Sequence, residues 1–467
     1  MRWSFLFSAL LVSTLLAAQL RAPIDQFIHS SVIDGCNVSC LSVNLTTGDT
    51  LFSYNPHQRV VPASLLKLFT TSAALEEWGS DYRFKSAVGY RGVLSNGVLD
   101  GDLVVHGFGD PTLGSSHFAS THPDTVLIRT YNAINSAGIR SVKGDIILLN
   151  GYFDDNELSS GRLFEDMANY YGATPKSFNW RDNSFILYLK SPQKVNKKCR
   201  IVGTEPHLEM DTLISNVYSS TINRDSAYIY PIPNGFVVRG SIPTNQDAFP
   251  VKGVLPSPAG LFGSELLSYL GKNGVQFSNS SSVKMRDDSI KYTPIYTLFS
   301  PPLQEIITVT NQKSINLFAD ALLLHLAKKN TSRWQWSGGS LELMAFWKSR
   351  IASDLVVEDG GGVSPRNLVT ASQVVDMLTY QYQSEKYSQF KASLSIAGVN
   401  GTLKRSFISP KWKFYGKSGS MKGVLCYGGY VVNDRGDTMA VAVMVNNYIS
   451  KNSSVKAVIE KLFIDTF

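Results

Sequence analysis

Val61-Pro62-Ala63-Ser64-Leu65-Leu66-Lys67 runs without a break into Leu68-Phe69-Thr70, and the reading of this stretch decides the fold. The pattern predicts a helix from Ser64 to Glu77, opened after Pro62 and closed by Gly79. On a helix, positions three apart share a face, so the Lys67 amine can reach the Ser64 hydroxyl. Ser64 also sits where unpaired N–H groups and the helix dipole favour developing negative charge. A neutral lysine can take the serine proton and a charged one cannot, so the site must desolvate Lys67 or set a second cation beside it. Taken alone, the pair proves little, because a serine here is by default a helix cap. Ser-x-x-Lys recurs at Ser191/Lys194, Ser281/Lys284 and Ser453/Lys456. Only the Ser64 copy follows a proline and opens a long, mostly apolar helix.

Two further stretches downstream share this chemistry. Ser314-Ile315-Asn316 precedes the apolar run Leu317 to Leu326, within a helical pattern expected over Ile315–Lys329. It reads as a helix-start serine, and as a hydroxyl and an amide that could relay a proton and hold a peptide group. Ser42-Val-Asn44, Ser53-Tyr-Asn55 and Ser177-Phe-Asn179 match the same short pattern. Lys417-Ser418-Gly419 is the one Lys-[Ser/Thr]-Gly in the chain. On a strand edge, Lys417 and Ser418 could bind a substrate carboxylate, while Gly419 lets the substrate backbone approach. The spacing is 250 residues from Ser64 to Ser314 (314 − 64), then 103 to Lys417 (417 − 314). The ordered set Ser-x-x-Lys, Ser-x-Asn, Lys-[Ser/Thr]-Gly is the signature of penicillin-recognising serine enzymes. A class A β-lactamase has no room for a 250-residue gap between the first two motifs.

The rest of the chain sets these motifs in a frame. Asn37–Leu45 and Asp49–Tyr54 read as a strand pair, and helical patterns return at Ala259–Leu270. Strands at Phe414–Ser418, Val424–Val432 and Met439–Val445, with a turn at Asn433–Asp437, precede a helix at Ser454–Phe463. Between about 85 and 255 the chain is rich in short β-like runs and turns such as Asn96-Gly97 and Asn234-Gly235. The expectation is an α/β domain, residues 19–84 and 256–467, split by a β-rich insertion at 85–255.

At 467 residues, 43% hydrophobic and 17% charged, the chain is globular and holds more than one domain. Arg2, the apolar run Phe5–Leu16 and the pair Ala17-Ala18 read as an export signal over residues 1–18. A membrane anchor is the alternative, but the run is short for a bilayer. The mature chain is therefore expected outside the cytoplasmic membrane, with no spanning segment. The net charge of +7 is dispersed, and the basic stretch Lys194–Arg200 lacks interleaved aromatics, which argues against nucleic acid. It leaves peripheral contact with an anionic membrane or wall open, as it does self-association. Export permits disulfides among Cys36, Cys40, Cys199 and Cys426, with three pairings to choose from. Cys36 and Cys40 lie about 13 Å apart along an extended strand, too far to bridge. No metal-ligand spacing is present, so neither a metal nor another cofactor is expected.

At this point the chain resembles the serine-type D-Ala-D-Ala carboxypeptidase/endopeptidase family of penicillin-binding protein 4, peptidase family S13. The resemblance spans nearly all the mature chain. It is carried by Val61–Lys67, Gly107-Phe-Gly-Asp-Pro-Thr-Leu113, Asn169-Tyr-Tyr-Gly-Ala173 and Arg239-Gly-Ser-Ile-Pro243. It continues through Ser300-Pro-Pro-Leu303, Thr310-Asn-Gln-Lys-Ser-Ile-Asn-Leu317, Asp359-Gly-Gly-Gly362 and Gly416-Lys-Ser-Gly-Ser420. The resemblance implies a transpeptidase/β-lactamase-like α/β (α+β) domain, an antiparallel sheet flanked by helices, split by two nested smaller domains. It implies an exported, periplasmic enzyme that binds β-lactams and hydrolyses peptidoglycan stem peptides through an acyl-enzyme. By the same carry-over Ser64 is the nucleophile, Lys67 the base, and Ser314 the proton relay to the leaving D-Ala. Asn316 orients the substrate amide, and Lys417, Ser418, Gly419 and Ser420 form the substrate-binding strand. The Ser64 and Ser420 N–H groups would form the oxyanion hole. Two departures stand out. The family usually has Thr where Ser418 stands. It also tends to carry an Asp shortly before a Phe, which receives the amine of the third stem-peptide residue. Here Ile147-Leu-Leu-Asn-Gly-Tyr-Phe153 has no such Asp, and Leu149 falls nearest. Two other readings use the same nucleophile: a penicillin or peptidoglycan sensor that acylates without turnover, and an esterase or β-lactamase.

Overall fold

The computed structural model describes residues 22–155, 158–208, 212–286, 290–327, 335–351 and 353–467. The export segment expected at 1–18 lies outside them, as do the last residues of the helix expected to reach Lys329. The chain forms two compact units. One gathers the residues up to Ser80 with Ile307–Ile315 and Ser340–Phe467; the other holds Asp81–Ile306 and Asn316–Gly339.

The first unit is built on a six-stranded sheet, in the order Ser395–Ile396, Trp412–Met421, Val424–Asn433, Thr438–Asn446, Asn37–Asn44, Thr50–Tyr54. Every pairing in it is antiparallel. Thr438–Asn446 is buried at every position, as a continuous apolar run between two neighbours requires. Successive side chains point to opposite faces. On one face Trp412, Phe414, Val431, Val441 and Val443 pack with Ile459, Leu462 and Phe463 of the helix Asn452–Thr466, and with Ile24 and Phe27. On the other face Tyr430 Oη donates to Leu378 O (2.8 Å) on the helix Ala371–Gln383.

The helix predicted at Ser64–Glu77 begins differently. Ala63–Leu66 is a single 3₁₀ turn, and the α-helix proper is Lys67–Trp78, ended at Gly79 with φ of 79°. It is buried continuously from Lys67 to Leu75, a core helix rather than an amphipathic surface one.

The second unit holds a seven-stranded sheet. Its centre is the hairpin Lys85–Ser95 and Val98–Gly107, turned at Asn96-Gly97 with φ of 49° and 83°. Two positive φ values suit a two-residue turn in register with the strand twist. Thr293–Phe299 adds antiparallel to Lys85–Ser95, and Val283–Arg286 adds parallel to Ile146–Leu149. The boundary expected at 255 therefore falls inside this unit, because strands after it complete a sheet begun before 150. Those strands are two to seven residues long, too short for periodicity to assign. Between the two halves lie two three-stranded sheets spanning residues 184–254. Phe185, Leu187, Val217, Ile229, Val238 and Val251 form their shared core.

All four cysteines, Cys36, Cys40, Cys199 and Cys426, are free. Among the described residues, no helix is long and apolar enough to cross a membrane.

Candidate active site

Ser64 sits in the 3₁₀ turn, and Lys67 is the first residue of the helix that follows. Ala63, just before Ser64, is held at φ of 47°, a left-handed conformation that costs a non-glycine residue roughly 1 kcal/mol or more. The sheet makes the turn fit. A Cβ on Gly428 would lie 3.0 Å from Leu65 Cδ1 and 3.1 Å from Val374 Cγ1. A Cβ on Gly419 would collide with Pro62 O and lie 2.8 Å from Leu65 N and 3.2 Å from Ser64 N. Gly419, expected to admit a substrate backbone, is thus required by the Ser64 turn itself.

Lys67 is wholly buried, and its Nζ donates to Ser64 Oγ at 3.0 Å and to Gly361 O at 2.5 Å. Lys417, on strand Trp412–Met421, is also wholly buried. Its Nζ donates to Ser314 Oγ (2.9 Å) and Ser418 O (2.6 Å). Burial, and after it the charge of Lys67, push the Lys417 amine well below the ordinary lysine value. The repulsion is mutual, so the pair favours a state with one positive charge between two amines.

Ser314 is not a helix-start residue, as its pattern had suggested. It ends the helix Leu303–Lys313, at φ of 59°, and Ile315 N–H donates back to Thr310 O (3.2 Å). This is the left-handed helix stop with its six-to-one hydrogen bond, normally a glycine position. The helix carrying Ser314 is tied to the helix carrying Lys67 through buried Asn311. Its Nδ2 donates to Thr71 Oγ1 (3.1 Å) and to Ser393 Oγ (2.9 Å).

Ser418 Oγ donates to Thr402 Oγ1 at 2.8 Å. Ser420 is exposed farther along the same strand. Ser64, Lys67, Ser314, Lys417, Ser418, Gly419 and Ser420 all belong to the first unit. Asn316 belongs to the second, where its Nδ2 donates to Tyr171 O (2.7 Å) within the Asn169–Ala173 stretch. Leu149 is buried among Val104, Ile147, Ile290 and Tyr292, so that position offers no polar group.

Sequence reading missed Gly361, Asn311 and Thr402. The Asp359-Gly-Gly-Gly362 run was visible, but nothing in it says which carbonyl meets Lys67. Among the described residues no cluster of His, Cys, Asp or Glu could hold a metal ion.

A buried lysine on a half-buried serine, a second lysine on a serine, and an antiparallel sheet between helices define the class of penicillin-recognising serine enzymes. Residues 20–463 match the D-Ala-D-Ala carboxypeptidase 3 (S13) family, and the chain belongs to it. It is a serine-type D-Ala-D-Ala carboxypeptidase. The D-alanyl-D-alanine carboxypeptidase DacB of Haemophilus influenzae is 23% identical over 427 residues, covering 89% of this chain and 86% of the relative. The D-alanyl-D-alanine carboxypeptidase of Actinomadura sp. R39 is 27% identical over 466 residues, 92% of this chain and 81% of the relative. The crystal structure of penicillin binding protein 4 from H. influenzae shares the fold with a TM-score of 0.78 at 22% identity, over 96% of this chain and 98% of that one.

Proposed function

We propose that this chain is exported to the periplasm and there removes the terminal D-Ala from cell-wall stem peptides through an ester on Ser64. The observation that carries the reading is the 3.0 Å Lys67 Nζ to Ser64 Oγ contact, with Lys417 seated on Ser314 in the same unit. Neutral Lys67 takes the Ser64 proton as Oγ attacks the penultimate D-Ala carbonyl. The Ser64 and Ser420 N–H groups hold the oxyanion; the close approach of Gly419 to Ser64 N supports this. Ser314 passes a proton to the departing amine, and Asn316 orients the substrate amide. Lys417 and Ser418 bind the terminal carboxylate. Water then cleaves the ester and frees Ser64.

Internal D,D-peptide cross-links present the same bond, so endopeptidase action follows from the same groups. A predatory endopeptidase of Bdellovibrio bacteriovorus shares the fold at a TM-score of 0.51 and 16% identity, over 92% of each chain. Leu149 supplies no acid for an amine on the third stem residue. The catalytic domain is assembled from segments on both sides of the insertion.

Penicillin should add one covalent adduct to the folded protein, seen by intact-mass spectrometry, and Ser64→Ala should abolish both the adduct and D-Ala release from muropeptides. An unlabelled wild type would defeat the reading. Labelling without D-Ala release would favour the sensor, and faster turnover of a chromogenic β-lactam than of a D-Ala-D-Ala peptide would favour a β-lactamase.

A further inference from the structure

The Lys67 amine has a second fixed partner besides Ser64, and that partner is held by a residue outside the three motifs. Gly361 O accepts from Lys67 Nζ at 2.5 Å, and Gly360 O accepts from Thr70 Oγ1 at 2.9 Å, one helical turn farther on. The next residue, Gly362, has φ of 77° and lies against the nucleophile's turn. A Cβ there would collide with Ala63 O and stand 2.5 Å from Ala63 C and 3.1 Å from Ser64 N. Three consecutive glycines therefore touch the base, its helix and the residue before the nucleophile.

Such a run has no stiffness of its own, since glycine restricts the backbone least. Its shape comes from Asp359, whose carboxylate is wholly buried. Oδ1 accepts from Gly362 N (2.6 Å) and Asn367 Nδ2 (3.1 Å), while Oδ2 accepts from Ser364 N (2.6 Å) and Val363 N (3.1 Å). Asn367 closes the loop by accepting from Glu358 N at 2.7 Å. Hydrogen bonds to an ionised acceptor are about twice as strong as neutral ones, so this carboxylate is a stiff hub.

We infer that Asp359 is a positioning residue for the general base, acting through the Gly361 carbonyl. The inference rests on the reading of Lys67 as base. A neutral amine has two N–H bonds and one lone pair. With one N–H committed to Gly361 O, rotation about the last side-chain bond is fixed and the lone pair can be held toward Ser64 Oγ. The carbonyl keeps its hydrogen bond after Lys67 has taken the proton, so the amine stays in place through attack and return. Without the hub, the amine would face Ser64 for only part of the time.

The test follows acylation by a chromogenic cephalosporin, with the acylable fraction counted by intact mass. Asp359→Asn keeps the volume but turns an N–H donor toward backbone N–H groups. It should slow acylation tenfold to about a hundredfold, the scale of loss for small misplacements of reacting groups. The half-saturating cephalosporin concentration should stay within about threefold, because binding does not use the base. In a Lys67→Ala background, Asp359→Asn should cost no more than about threefold further, since both act through one amine. If Asp359→Asn fails to fold, Thr70→Val loosens the same loop at Gly360 and should slow acylation about threefold to tenfold. A wild-type acylation rate in Asp359→Asn, or losses that multiply with Lys67→Ala, would overturn the inference. Wild-type acylation by Lys67→Ala alone would instead overturn the reading of Lys67 as base, and this inference with it.

Discussion

Two wholly buried amines, Lys67 and Lys417, stand close enough that each charge acts on the other. Burying one ammonium is costly and burying two near each other more so. The arrangement suits a reaction that needs an unprotonated lysine beside a serine. With both amines protonated there is no base, so acylation by penicillin should rise with pH along the acid limb, and the pH dependence of that rate checks it. The same burial weakens the fold. Lys417 binds its proton less tightly in the folded state than in the unfolded one. The unfolded chain then holds more protons in the window between those two values, and stability rises with pH across it. Lys417→Met removes this effect. Its melting temperature should exceed that of the wild type at neutral pH, with the gap widening as pH falls from about 10, while β-lactam acylation is lost. A wild-type-like or lower melting temperature would contradict this.

At the scale of elements, the site depends on how two helix ends are held. The 3₁₀ turn carrying Ser64 is seated against strand Trp412–Met421 because glycine stands at 419, and against the neighbouring strand because glycine stands at 428. The helix stop carrying Ser314 is held to the Lys67 helix by Asn311. Asn311→Ala leaves Thr71 and Ser393 short of a partner in the interior. It should cost about 1–3 kcal/mol of stability and slow acylation about tenfold through displacement of Ser314. Urea unfolding read beside cephalosporin kinetics separates the two effects. Loss of stability at an unchanged acylation rate would show that Asn311 serves only the core.

Across the whole molecule, the first unit separates its stabilising core from its chemistry by the alternation of strand side chains. Phe414 faces the C-terminal helix, while Lys417 and Gly419 face the Ser64 turn. Phe463 meets Phe407, Phe414 and Phe467 on the far face. Phe463→Ala should lower stability by about 3–5 kcal/mol, with the folded fraction still acylated at close to the wild-type rate. Denaturant unfolding and active-site titration check the pair.

The sequence by itself determined the class of fold, the C-terminal hairpin and helix, the meeting of Ser64 with Lys67 and the order of the three motifs. Local patterns carry that information: an apolar run after a proline, alternation along strands, turn residues at fixed places. Only the tertiary structure decided that Gly419 makes room for the Ser64 turn, that Ser314 ends a helix rather than starting one, and that Gly361 holds Lys67. It also carried the second unit past residue 255, because strands too short to show a period pair with partners more than a hundred residues away. Each of these depends on contacts between segments far apart in the chain, and no residue announces its distant neighbour.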